Sequence, residues 1–65
     1  MYFKQEKKAE LLQGRTIRYL AKQLDITEQY LCMILKAKKG CSLKLANKIA
    51  KINNELVDEY FVKSI

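Results

Sequence analysis

Any chemistry in this 65-residue chain must be done without histidine. With no His and only two cysteines, Cys32 and Cys41, imidazole acid-base catalysis and Cys-His nucleophiles are excluded. The usual Cys/His structural zinc site also lacks its ligands. There is no nucleophile-base pair and no phosphate-cradling glycine loop, so the expectation is a protein that binds rather than catalyses, without metal or cofactor. What the chain has in quantity is positive charge, 13 Lys and Arg against 7 Asp and Glu, net +6. Residues 1–53 hold every basic residue except Lys63 and only four acidic ones, Glu6, Glu10, Asp25 and Glu28. Residues 54–65 are net acidic through Glu55, Asp58 and Glu59. Such a field suits a polyanion, nucleic acid or an anionic membrane surface; a solvated lysine-rich face would carry the same charge. The two thiols are expected to stay reduced in a cytosolic protein. Cys32 is expected to be a small exposed or half-buried residue and Cys41 a loop residue; the alternative is a reactive Cys41, its pKa lowered by Lys38 and Lys39.

Length bounds the architecture that can position these groups. Sixty-five residues leave room for one domain, residues 1–65, with no second lobe to enclose a substrate. The longest apolar run, Tyr30 to Leu35, is six residues, against the roughly 20 needed to cross a bilayer. Lys4, Lys7 and Lys8 are not followed by the apolar region of a signal peptide. A soluble cytoplasmic protein is expected.

No proline and two glycines suit a chain of helices with few breaks. Gly14 and Gly40 are expected to mark helix ends, and Tyr2 to Gln13 reads as a first helix. Thr16 can cap a second, whose Ile17, Leu20, Ala21 and Leu24 repeat as one buried face, with Arg18 and Lys22 on the other side. Asp25-Ile26-Thr27 interrupts the pattern; Asp25 tolerates a left-handed backbone and Thr27 is a second cap. From Glu28 to Lys36, Leu31, Ile34 and Leu35 point inward while Glu28, Gln29, Cys32, Met33 and Lys36 fall on opposite or flanking faces. A strand here would contain one β-branched residue and have no partner strand. Ala37 to Cys41 is a basic loop, and Ser42 caps a fourth helix with the stripe Leu45, Ala46, Ile49, Ala50 and Ile52. Asn53-Asn54 is a turn. A short fifth helix over about 55–65 would align Leu56, Val57, Tyr60, Phe61 and Ile65. The fold expected is all-α with five helices.

Two helices joined by three residues, the second short and capped, have helix-turn-helix geometry over about 16–36. Gly14 to Ile52 resembles the Cro and C1-repressor type (XRE family) of helix-turn-helix proteins. The resemblance lies in Gly14-Arg15-Thr16 followed by Leu20-Ala21, in the turn Leu24-Asp25-Ile26-Thr27, and in the helix Glu28 to Lys36. The stretch Lys38 to Ala50 is similar to the loop and fourth helix of many such regulators from mobile elements. The chain departs from the family at Ile17, where a bracing glutamine is usual, and at Asp25, where the turn glycine is usual. A compact lambda-repressor-like domain binding double-stranded DNA is what the resemblance implies.

It further implies that the exposed face of the Glu28–Lys36 helix enters the major groove, with Glu28, Gln29 and Met33 at base-facing positions. Gln29 can pair bidentately with adenine, Glu28 can accept from a cytosine amino group, and Met33 can touch a thymine methyl. Each has a plainer role as well. Glu28 favours the helix dipole by about 0.3–1 kcal/mol without DNA, Gln29 is an ordinary exposed residue, and Met33 can cover the core edge. Arg18, Lys22, Lys36, Lys38, Lys39 and Lys44 are the candidate phosphate contacts, flanked by Tyr30 and by the capping Thr16. Leu56, Val57, Tyr60, Phe61 and Ile65 either finish the core or form the seam of a homodimer on a palindromic operator, with half-sites about 34 Å apart. The function expected is a small transcriptional regulator, a repressor of phage or mobile-element type acting by occupancy. The alternatives are an architectural, excisionase-like DNA binder and a protein-interaction module such as an antitoxin or antirepressor.

Overall fold

The computed structural model describes residues 1–63. Three hydroxyl side chains begin the three central helices where the sequence placed them. Thr16 Oγ1 accepts from Tyr19 N–H at 3.0 Å to start α2 (Ile17–Leu24), and Thr27 Oγ1 accepts from Tyr30 N–H at 3.1 Å to start α3 (Glu28–Leu35). Ser42 Oγ accepts from Leu45 N–H at 3.2 Å to start α4 (Leu43–Lys51). Each cap satisfies one N–H that the helix leaves without a partner.

The ends of these helices share one device. Asp25, Ala37 and Asn54 adopt left-handed backbones, with φ of 58°, 58° and 56°. Behind each, two amide bonds reach back into the last turn. Asp25 and Ile26 donate to Lys22 and Ala21, Ala37 and Lys38 to Ile34 and Met33, and Asn54 and Glu55 to Lys51 and Ala50. This paired closure satisfies orphan carbonyls and turns the chain sharply. Asp25 and Asn54 suit it chemically; Ala37 holds it at a cost of about 1–2 kcal/mol. Gly40, expected to end a helix, does not. A Cβ there would lie 3.2 Å from the Met1 carbonyl oxygen and 3.2 Å from the Tyr2 ring, so glycine lets the amino-terminal segment pass against the loop. Gly14 does follow a helix end, at φ +80° after Gln13 at φ 48°.

Both termini depart from the all-helical expectation. In place of a helix from Tyr2, the chain starts with β1 (Tyr2–Phe3), passes through a 3-10 turn at Gln5–Lys7, and forms a short α1 (Lys8–Leu12). The fifth helix, α5, covers only Val57–Tyr60 and gives way to β2 (Phe61–Val62). The two strands pair antiparallel, Tyr2 with Val62 and Phe3 with Phe61, and Lys4 N–H donates to the Tyr60 carbonyl at 2.7 Å. Extended backbone wins here because aromatic residues suit a pleated pair. The pairing also brings Phe3 edge-on to Phe61, centroids 5.4 Å apart. Ile65 lies outside the described residues.

The domain is thus mostly helical, with five α-helices and one two-stranded ribbon among the described residues. Leu20, Ala21 and Leu24 of α2 meet Leu31, Ile34 and Leu35 of α3, Ala46, Ile49 and Ala50 of α4, and Phe3, Tyr60 and Phe61 from the ribbon side. No polar or charged side chain is fully buried among the described residues. A polar knot ties α1 to the end of α4. Arg15 donates to the Leu11 and Leu12 carbonyls, both at 2.9 Å, and to Asn53 Oδ1 at 2.5 Å. Asn53 Nδ2 donates to the Leu11 carbonyl at 3.0 Å and to the Tyr60 hydroxyl at 3.1 Å. No helix among the described residues is long and apolar enough to cross a membrane.

Candidate nucleic-acid interface

Helix α3 buries Leu31, Ile34 and Leu35 and leaves its other face outward. The inward residues recur at three and four positions, so Glu28, Gln29, Met33 and Lys36 must face solvent, and all four are exposed. Packing of Leu31 and Ile34 beneath Leu20 and Ala21 fixes the angle at which that face is presented. Between α3, the start of α2 and the basic loop lies a groove of about 420 Å³, lined by Ile17, Glu28, Gln29, Cys32, Met33, Lys36 and Lys38.

All three candidate base-reading residues therefore share one groove with two of the candidate phosphate contacts. Arg18 joins it indirectly, its Nε 3.5 Å from Glu28 Oε2 across the turn. Both side chains are more than half exposed, which makes the pair weak as a source of stability. Lys39 lies over the Tyr30 ring, 5.3 Å from its centroid, and so braces the loop against α3. Lys22 and Lys44 are exposed on α2 and α4 and do not line the groove. The Thr16 hydroxyl is committed to its capping bond.

No protein-family model, curated protein or solved structure matches the chain. The site's chemistry is accordingly that of its own residues. One acceptor-only carboxylate, one amide with both donor and acceptor, a thioether and several cations are arranged along a face one helix wide.

Two groove residues were not singled out by the sequence. Ile17 was assigned to the buried stripe but is half-buried and lines the groove, as does half-buried Cys32. The signal for Cys32 was present, because it lies four residues after Glu28 and so shares its side of the helix. The signal for Ile17 was not, since only the approach of α2 to α3 exposes one edge of it.

The other cysteine is a loop residue, and its surroundings do not favour the reactive alternative. Cys41 is buried, and burial pushes its thiol up from the ordinary value, partly opposed by the nearby amino terminus. Lys38 and Lys39 do not make it reactive; a buried, protonated thiol is a small hydrophobe.

The candidate dimer residues are also divided. Tyr60 and Phe61 lie in the monomer's own core, each 2% exposed, which withdraws them from any seam between copies. Leu56 is 79% exposed and Val57 half-buried. They line a second groove of about 360 Å³ with Met1, Leu43, Asn47, Asp58 and Lys63.

Proposed function

We propose that this chain binds double-stranded DNA sequence-specifically and acts as a small transcriptional regulator, a repressor of phage or mobile-element type that works by occupancy. On this reading α2 and α3 are the helix-turn-helix of a lambda-repressor-like domain, and α3 enters the major groove. The observation that carries the proposal is the single groove that gathers Glu28, Gln29 and Met33 with Lys36 and Lys38 on the outward face of a capped helix. Duplex DNA offers a charged backbone on either side of a strip of hydrogen-bonding base edges, and this face carries cations at its edge and an amide, a carboxylate and a thioether along it. Arg18, Lys22, Lys39 and Lys44 extend the positive surroundings to α2, the loop and α4. The reading needs neither metal nor cofactor. A palindromic operator would require a second copy, and exposed Leu43 and Leu56 with half-buried Val57 are apolar side chains grouped in one groove that could make that contact. The site of action is the cytoplasm, where the DNA is.

Selection of bound duplexes from a randomised pool at near-physiological salt tests this directly. Enrichment of a two-fold symmetric site supports a dimeric operator-binding regulator. Salt-sensitive binding with no enriched sequence transfers the proposal to an architectural DNA binder. Absence of binding removes DNA and leaves a protein-interaction module, for which the Leu43–Leu56 groove is the surface to test.

A further inference from the structure

The α3 groove is lined by an acceptor that cannot donate and by three apolar side chains, together with Gln29, Lys36 and Lys38. The acceptor is the Glu28 carboxylate, held from across the turn by Arg18 Nε at 3.5 Å. The apolar side chains, the groove's floor on this reading, are half-buried Ile17 and Cys32 and Met33, which is 37% exposed. In the major groove, cytosine offers a 4-amino donor beside a bare C5–H, and thymine offers a 5-methyl beside an O4 acceptor. Adenine sets its amino group beside the N7 acceptor, and guanine offers acceptors alone. The base edge that sets an amino donor directly beside a methyl group is that of 5-methylcytosine. We propose that this groove selects 5-methylcytosine in duplex DNA, Glu28 accepting from the 4-amino group while Ile17, Cys32 and Met33 receive the 5-methyl group. Thymine would fill the same floor but set its O4 against the carboxylate, and unmodified cytosine would satisfy Glu28 and leave the floor in water. Arg18 is then a positioning residue. It keeps the Glu28 carboxylate at the groove and offsets its repulsion from the flanking phosphates. The inference rests on the DNA-binding reading above and names the base that the reading leaves open.

The test uses the full chain and two randomised pools, one built with dC and one with 5-methyl-dC. The best duplex from each is remade with dC, 5-methyl-dC or dT at each cytosine position, and the affinities are compared by competition. The expected result is one position per half-site where 5-methyl-dC binds about fourfold tighter than dC, the gain from burying one methyl group, with dT weaker than dC. Glu28→Gln abolishes the discrimination against dT, because an amide can donate to O4. Met33→Ala narrows the preference for 5-methyl-dC over dC. Arg18→Gln lowers the ratio of 5-methyl-dC to dT binding, whereas loss of a simple phosphate contact would weaken all duplexes alike. Circular dichroism checks that these three exposed substitutions leave the helical content unchanged. Sequence-specific binding that is indifferent to cytosine methylation at every position overturns this inference and leaves the DNA-binding proposal standing. Failure of the chain to bind any duplex overturns both.

Discussion

The α3 face and the terminal face of this small domain treat their polar groups in opposite ways. At the termini, Lys4 donates to the Asp58 carbonyl at 2.7 Å, and Lys7 reaches Glu59 at 3.1 Å and Glu10 at 3.2 Å. Arg15 and Asn53 there spend their hydrogen-bonding capacity on backbone carbonyls and on Tyr60. On the α3 face the internal ties are the long Arg18–Glu28 pair and the stacking of Lys39 on Tyr30. Groups already paired inside a fold hold it together and have little to offer a partner. Groups left in water can exchange that water for a partner without disturbing the fold. Glu59 and the backbone of Asp58 are thus committed to closing the domain, and the α3 face remains available. Stability and recognition should be separable by mutation.

Breaking the terminal face should cost the most. Phe61→Ala removes a fully buried ring that packs on Phe3, and a loss of about 3–5 kcal/mol is expected, read as a fall in the denaturation midpoint. A loss under about 1 kcal/mol would mean that the ribbon does not close the core. Asn53→Ala strips Arg15 and Tyr60 of a shared partner and should cost about 1–3 kcal/mol by the same measurement, with DNA affinity of the remaining folded protein unchanged. The opposite pattern is expected of Gln29→Ala. It should leave stability within about 0.5 kcal/mol and cost about 1–3 kcal/mol of binding on the preferred duplex, with little change on random DNA. Equal losses on both duplexes would contradict base reading. Lys39→Ala should weaken all sequences alike and reduce the slope of log affinity against log salt by about one unit; an unchanged slope places Lys39 outside the interface.

The smallest effect expected is a pH dependence confined to the termini. Hydrogen bonds to Glu59 and Glu10 raise the Lys7 pKa above its ordinary value of 10.5. A raised folded-state pKa gives stability that is present in full below the unfolded value and lost as pH climbs through the folded one. The wild-type chain should therefore keep an advantage over Lys7→Met near neutrality and lose it in alkali, as pH climbs past the ordinary lysine value of 10.5, as read by denaturant unfolding at each pH. An advantage that persists into strong alkali would mean that the Lys7 stem, rather than its charge, matters.

The middle of the chain was more legible than its ends because its signals are local. Thr16, Thr27 and Ser42 cap the helices they precede, and Asp25 closes α2 in the left-handed conformation expected of it. The Leu20-Ala21-Leu24 and Leu31-Ile34-Leu35 stripes are the buried ones. Gly40 misled because a glycine that permits a close approach is indistinguishable in sequence from one that closes a helix, and here Ala37 took the closing position. Tyr2–Phe3 and Phe61–Val62 were read as helical because each alone fits a helix; their preference for a strand exists only when the other is beside it. In the site, the outward position of Glu28, Gln29 and Met33 followed from helical spacing, whereas the Arg18–Glu28 pair and the exposed edge of Ile17 depend on how closely α2 crosses α3.

Sequence alone determined where the three central helices begin, which of their faces are apolar, and that the first 53 residues are basic while the last stretch is acidic. Each of these is a property of residues within a few turns of one another. Tertiary structure alone decided that Tyr60 and Phe61 belong to the monomer's core, that Cys41 is buried with its thiol pushed up, and that Ile17 of α2 lines one groove with Glu28 of α3. The longest of these contacts join residues up to 60 positions apart, Phe3 with Phe61 at 58 and Tyr2 with Val62 at 60, and no local pattern carries the free energy of contacts that form only when the chain has closed.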